Sequence, residues 1–309
     1  MQKTTSVIYK DNMMNARNLL VVIISVMGTI TSFAQTNLLN AKYPEDIGIK
    51  SAAQLISDND KPLKYGYVDD RDILMGKTVW EIIDLSERIN FPLYFPIDTT
   101  NIGSDRRSLY DVLTKAIRTG AITEVYTDSY FNTKKSFKDI QASLTRIDTT
   151  DAGKEQINAG QAISPEYILK QDLTAQDVTQ YKIKGYWYFD NRQGELKYRL
   201  LAICPVTPDV YTMNSDEKDY IELFWVFFPS ARDVLHEAKA FNDKNSAMPI
   251  SFDQILNSRK FNATIYQEEN VYNDRTIANY MKDNAQNQLL ESDRVKEKIR
   301  DFEENMWNY

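Results

Sequence analysis

The chain has 309 residues, with 37 Lys and Arg against 44 Asp and Glu, for a formal charge of −7. One Cys (Cys204) and one His (His236) exclude an internal disulfide, a His-rich metal cage, a CxxC zinc site and any Cys-His dyad beyond that single pair. The acidic balance argues against binding nucleic-acid backbones, which calls for a basic excess, and 42% hydrophobic with 26% charged residues describes a folded globule rather than a disordered chain.

Residues 1–34 stand apart from that globule. A polar stretch carrying Lys3, Lys10 and Arg17 against Asp11 leads into the apolar run 19–30 (LLVVIISVMGTI), followed by Ser32 and Ala34 with one residue between them. Basic, then apolar, then small-x-small predicts a secretory signal peptide cleaved before Gln35, and the run is short for a membrane span of about 20 residues. An uncleaved anchor is the other reading, and Met13 and Met14 are alternative starts. No Cys stands at the cleavage point to carry a lipid. Removing residues 1–34 takes the charge to −9. Export puts the lone thiol in an oxidising compartment, where it is either buried or open to another chain, and the preceding LLAI (200–203) favours burial.

Residues 35–64 have little periodicity and read as an extended arm of the kind that packs on a neighbouring subunit. Residues 65–309 read as one α+β domain, a mixed or antiparallel sheet with flanking helices. Thr78 and Glu81 have capping-box spacing, so 78–85 is predicted to be a helix, stopped by Asn90, Pro92 and Pro96 with Leu93, Tyr94 and Phe95 as an apolar bridge. Ser108 as N-cap, apolar residues Leu109, Val112, Leu113, Ala116 and Ile117, and Gly120 as C-cap mark a second helix. Residues 122–126 alternate like a strand, and 136–144 suit a short helix. The run 148–160 (DTTDAGKEQINAG) reads as a loop and as the candidate boundary between two halves, before Ser164-Pro165-Glu166 opens a helix. Strands follow at 181–189 and 196–204, joined by a turn at 190–194, then a central strand at 220–228, a helix at 231–241 and a strand at 261–266. A long helix is predicted over 284–309, with Leu289, Val295, Ile299, Phe302 and Met306 on one face.

The search for chemistry finds no catalytic, cofactor or metal residues to name. A Ser-His-Asp triad would need His236, which lies mid-helix, with no GxSxG around any Ser. The acidic clusters Asp69-Asp70-Asp72 and Asp216-Glu217-Asp219 could serve as metal ligands or as an acid-base pair, but neither matches a calcium loop and both sit beside turns. Phosphate-binding glycine motifs are absent. Alternation places Tyr186 and Tyr188 on one sheet face and Trp187 and Phe189 on the other. These residues and 224–228 (FWVFF) suit a packed core better than an exposed stacking platform. A chain without a plausible active site is more apt to bind or build than to react.

Several segments carry a resemblance. VWEIIDL (79–85) with NFPLYFP (90–96), GYWYFD (185–190), AICPV (202–206), LFWVFFP (223–229), ENVYNDR (269–275), LESDR (290–294) and FEENMWNY (302–309) resemble the GldN/PorN family across nearly the whole chain after residue 34. That resemblance implies a non-enzymatic periplasmic component of the type IX protein secretion and gliding motility machinery. The family is known for building a ring with an outer-membrane lipoprotein of the GldK/PorK type, connected to the motor by a periplasm-spanning shaft of the GldM/PorM type. It offers no catalytic residues and implies no cofactor. The alternative from the residues is a soluble periplasmic glycan- or peptidoglycan-binding module, and an acidic hydrolase using Asp69, Asp70 or Asp72 is more distant.

Overall fold

The computed structural model describes residues 61–98, 100, 106–160, 162, 165–209, 219–242, 250–282 and 284–306. The signal peptide, all but the last residues of the arm, and Asp216 and Glu217 lie outside them. In chain order the elements are β1 (Ile73–Asp84), α1 (Phe91–Tyr94), α2 (Leu109–Thr119), β2 (Val125–Tyr126), α3 (Phe137–Leu144), β3 (Thr145–Thr149), α4 (Asp151–Asn158), β4 (Ile168–Asp172), β5 (Gln180–Asp190), β6 (Glu195–Pro208), β7 (Tyr220–Glu222), β8 (Trp225–Phe227), α5 (Phe228–Glu237), β9 (Lys239–Ala240), β10 (Ile250–Ser251), α6 (Phe252–Asn257), β11 (Thr264–Glu268), α7 (Ile277–Tyr280) and α8 (Ala285–Met306).

The fold is α+β. An antiparallel sheet runs in the order β11-β1-β5-β6-β8-β2, with β7 beside the end of β6, and two short hairpins, β3-β4 and β9-β10, stand off it. Its backbone is the meander β1-β5-β6, in which Val79 faces Gly185 and Ile183 faces Ile203. On one face Ile83, Tyr181, Ile183, Leu200, Ile203 and Val226 form the main core with Leu109 and Leu113 of α2, Phe228 and Leu235 of α5, and Phe252 and Leu256 of α6. Nearer the β11 edge, Val79, Ile265, Ile277, Val295 and Ile299 make a second cluster beneath α8.

α2 forms where its caps and apolar stripe place it. The Ser108 hydroxyl accepts from the Asp111 N–H at 3.3 Å, and Gly120 takes the left-handed conformation at φ 76°. The Ser136 cap of α3 forms a full capping box with Asp139. The strands β5 and β6 and the turn between them also fall where the alternation puts them.

Several elements differ from the sequence reading. Residues 78–85 lie in β1, not in a helix: Val79, Glu81 and Ile83 point to one face and Trp80 to the other, a period of two that β-branched residues favour and that sheet pairing on both sides enforces. The supposed loop 148–160 closes the β3-β4 hairpin, whose partner lies about 20 residues on, and then forms α4, where the Lys154 N–H donates to the Thr150 carbonyl at 3.0 Å. Pro165 opens only a 3-10 turn before β4. The strand predicted over 220–228 is interrupted at Leu223 and Phe224, both buried, and forms two short strands, β7 and β8. Only Val125 and Tyr126 of 122–126 pair in the sheet. The 231–241 helix begins at Phe228, with Pro229 in its first turn, and ends at Glu237, and the last strand is shifted to 264–268. In α8, Leu289 is exposed, and Glu291 and Ser292 share the buried side with Val295 and Ile299.

Candidate functional site

The residues singled out for chemistry do not converge. Cys204 is fully buried on the second sheet face with Trp80, Ala202 and Trp225. Its thiol donates to the Pro205 carbonyl at 3.4 Å, and burial pushes its pKa well above the usual thiol value. It is held as a thiol, with Glu222, Lys182 and Lys135 as charged groups acting on it. His236 is half-buried in the last turn of α5, with its carbonyl accepting from Lys239 Nζ at 2.8 Å. Asp69 accepts from the Arg71 backbone N–H and guanidinium, both at 3.1 Å, and these bonds lower its pKa; Asp72 pairs with Arg192 at 2.9 Å. The Asp219 carbonyl accepts from the Asp209 N–H at 2.7 Å. Among the described residues no three His, Cys, Asp or Glu side chains come together as metal ligands.

The aromatic strand is committed to packing. Trp187 lies 4.9 Å from Tyr198 and Phe189 lies 6.0 Å from Phe302 of α8, while Tyr186 and Tyr188 stack on the opposite face at 6.0 Å. The two-face split is the one alternation predicts. Trp80 and Trp225 are 1% exposed, so neither indole is open to stack on a sugar.

What covers Trp80 is an arrangement that sequence reading missed. Lys184 projects from β5 into an aromatic cage, its Nζ 4.9 Å from the Trp80 ring centre, 4.7 Å from Tyr130 and 5.8 Å from Phe131, and it donates to the Ser129 carbonyl at 3.0 Å. The Trp80 indole N–H donates to Ser129 Oγ at 2.9 Å. These contacts pin the loop between β2 and α3 against the sheet. Phe131 holds φ at 63° there, a left-handed conformation that costs roughly 1–2 kcal/mol in an L residue. Burial lowers the Lys184 pKa, yet cation-π attraction in a partly desolvated site is worth about 1–2 kcal/mol. Lys184→Ala should therefore destabilise the protein by about that amount and release the loop, seen as a red shift of tryptophan fluorescence as Trp80 meets water. Unchanged stability and emission would mean the cage is decorative.

Two surface features remain. The first is where the arm joins the domain. The Tyr65 ring lies between Arg199 at 4.6 Å and Arg232 at 4.1 Å, and its hydroxyl donates to Asn257 Oδ1 at 2.7 Å. Arg232 is itself held by a buried bidentate pair with Asp253 at 2.8 and 3.1 Å. Arg199 and Arg192 donate to the carbonyls of Gly66 and Tyr67. Residues 65–67 are thus clamped to the sheet and to the helices α5 and α6.

The second feature is an open groove of about 520 Å³ lined by Phe91, Pro92, Phe95, Pro96 and Phe241, with Arg88, Arg106 and Lys239 as its charged residues. The walls are aromatic: Phe91 and Phe95 meet edge-on at 5.4 Å, and the Arg106 guanidinium lies 4.7 Å over Phe241. Phe91, Phe95 and Phe241 remain 37–43% exposed, whereas Leu93 between the first two is buried and anchors α1. Its residues come from three separate stretches of chain, so no local window shows it. The signal was the Pro-flanked apolar run 91–96, which has more aromatic surface than a four-residue helix can bury.

The family comparison supplies what the geometry does not. The model of the gliding motility associated protein GldN family matches residues 68–308, which takes in every described strand of the sheet, the groove and the whole of α8. The chain belongs to the GldN family. The match begins at Val68, directly after the clamp at 65–67. No curated protein matches the chain. Membership of the GldN family associates this chain with gliding motility.

Proposed function

We propose that the chain is a non-enzymatic structural subunit of the type IX protein secretion and gliding motility machinery. It is exported through residues 1–34 to the periplasm and builds a ring beneath the outer membrane. The ring partner is an outer-membrane lipoprotein of the GldK/PorK type, and a shaft protein of the GldM/PorM type connects the ring to the inner membrane. The observation that carries this reading is the GldN family match over residues 68–308. The site geometry supports it: the thiol is buried, Asp69 and Asp72 are paired with arginines, and the tryptophans Trp80 and Trp225 are sealed, while an apolar groove with a basic rim stays open. Apolar surface left open among charges is a mark of an assembly face.

The arm tests the reading directly. Deleting residues 36–62 leaves Tyr65 and its clamp in place, so the shortened chain should fold with an unchanged circular dichroism spectrum and a midpoint within a few degrees of the intact chain. It should also fail to enter large particles when expressed in a gliding host. Normal particle formation by the shortened chain would remove the arm from the assembly contacts.

A further inference from the structure

The groove with three basic residues and five aromatic or proline walls has a counterpart in the same chain. Residues 301–309 (DFEENMWNY) carry Asp301, Glu303 and Glu304, no basic residue, and Phe302, Met306, Trp307 and Tyr309. The groove has no acidic lining residue among the described ones, and this segment has no basic one. We infer that the acidic-aromatic stretch 303–309 of one copy docks into the Phe91–Phe241 groove of a second copy.

Reach decides between the same copy and a second. Phe302 is fixed at one end of the sheet, 6.0 Å from Phe189, which pairs with Met75 at the start of β1. The groove lies at the opposite end of β1: Asn90, next to Phe91, donates to the Asp84 carbonyl at 2.7 Å. Met75 to Asp84 is nine strand steps, about 30 Å. Residues 303–309 fully extended cover at most about 24 Å, and the helical part of that stretch covers less, because α8 continues to Met306. The segment cannot fill its own groove.

Donor and acceptor at opposite ends of one strand make a heterologous contact, in which each copy gives its tail to the next and offers its groove to the one before. Such a contact propagates, and it closes into a ring when the rotation between copies divides a full turn. Arginines over aromatic walls suit this ligand, since each guanidinium can face a carboxylate while the rings take Met306 and Trp307. The inference rests on the scaffold reading above and deepens it by naming a contact between copies.

The test uses the chain from Gln35, with a photoreactive benzoylphenylalanine in place of Trp307, made in isotopically heavy and light forms and mixed. Irradiation should join position 307 to peptides containing Phe91 or Phe241, with heavy-light pairs at the statistical proportion. Arg88→Glu with Arg106→Glu should cut that product at least tenfold, and Glu303→Lys with Glu304→Lys in the tail should restore it, a rescue that a misfolded groove could not give. Cross-links within one copy, to another surface, or none at all would overturn the proposal. So would a probe at Phe241 that captures residues 36–60 instead. Large particles from cells without the tail-to-groove product would sink this contact alone; the product without large particles would support the contact and sink the scaffold reading.

Discussion

Glu81→Ala should cost about 3 kcal/mol of folding stability, read as a lowered urea midpoint at unchanged slope. The Glu81 carboxylate is 1% exposed and takes two bonds from Arg259, both 2.8 Å, and a third from the Tyr198 hydroxyl at 3.2 Å. Arg259 in turn lies 4.1 Å over Tyr198 and 5.2 Å from both Trp187 and Phe261. Its backbone is held at φ 50°, and Gly185 gives Tyr198 the space to lie there: a Cβ at Gly185 would stand 2.1–2.3 Å from the Tyr198 ring and hydroxyl. Removing the carboxylate leaves a cation among rings with little water, and breaking a buried pair from one side typically costs about 3–5 kcal/mol. The lower figure applies because 24% of the Arg259 side chain still reaches solvent. Against a total stability of about 5–15 kcal/mol this is a large fraction. Glu81→Leu with Arg259→Met should recover most of the loss, since apolar replacement of both partners removes the uncompensated charge. A single-mutant cost below about 0.5 kcal/mol would show the pair to behave as a surface one.

The second large effect appears at high pH. Burial raises the pKa of Tyr110 to about 12, and of Tyr181 and Tyr198 well above the ordinary phenol value of 10. In the unfolded chain all three ionise near pH 10, so above that pH the folded state binds more protons and stability falls with rising pH. The contribution is fully present below pH 10 and is lost as pH climbs towards the folded values. Each group contributes a slope of up to about 1.4 kcal/mol per pH unit above pH 10, and for Tyr110 that loss runs up to about pH 12. Tyrosinate absorbance should therefore rise in the same narrow step in which far-ultraviolet dichroism is lost, with these tyrosines silent before it. Gradual titration of all tyrosines from pH 9 without unfolding would contradict the burial of these hydroxyls.

The elements legible in the sequence were those whose determinants are local. Ser108 to Gly120 carries its own caps and stripe, and 181–204 carries its own alternation and turn, so α2, β5 and β6 sit where they are predicted. Residues 78–85 misled because Thr78 and Glu81 have the spacing of a capping box. The fate of Glu81 is decided by Arg259, 178 residues away, and no local pattern announces that partner. Likewise 148–160 has the composition of a loop and becomes a hairpin arm and a helix only because 168–172 supplies a strand to pair with. Of the functional surface, the sequence offered no site to name, and it hid the groove that the fold assembles. Phe91, Phe95 and Phe241 look like core residues in a window, and only the tertiary arrangement leaves them open.

The assembly role proposed for this member of the GldN family separates cleanly from that of a lone catalyst or carrier by particle size. The most direct measurement is electron microscopy of detergent-extracted native complexes captured through this chain. Large rings containing the chain together with a lipoprotein are the predicted result. Small monodisperse particles holding this chain alone would contradict it.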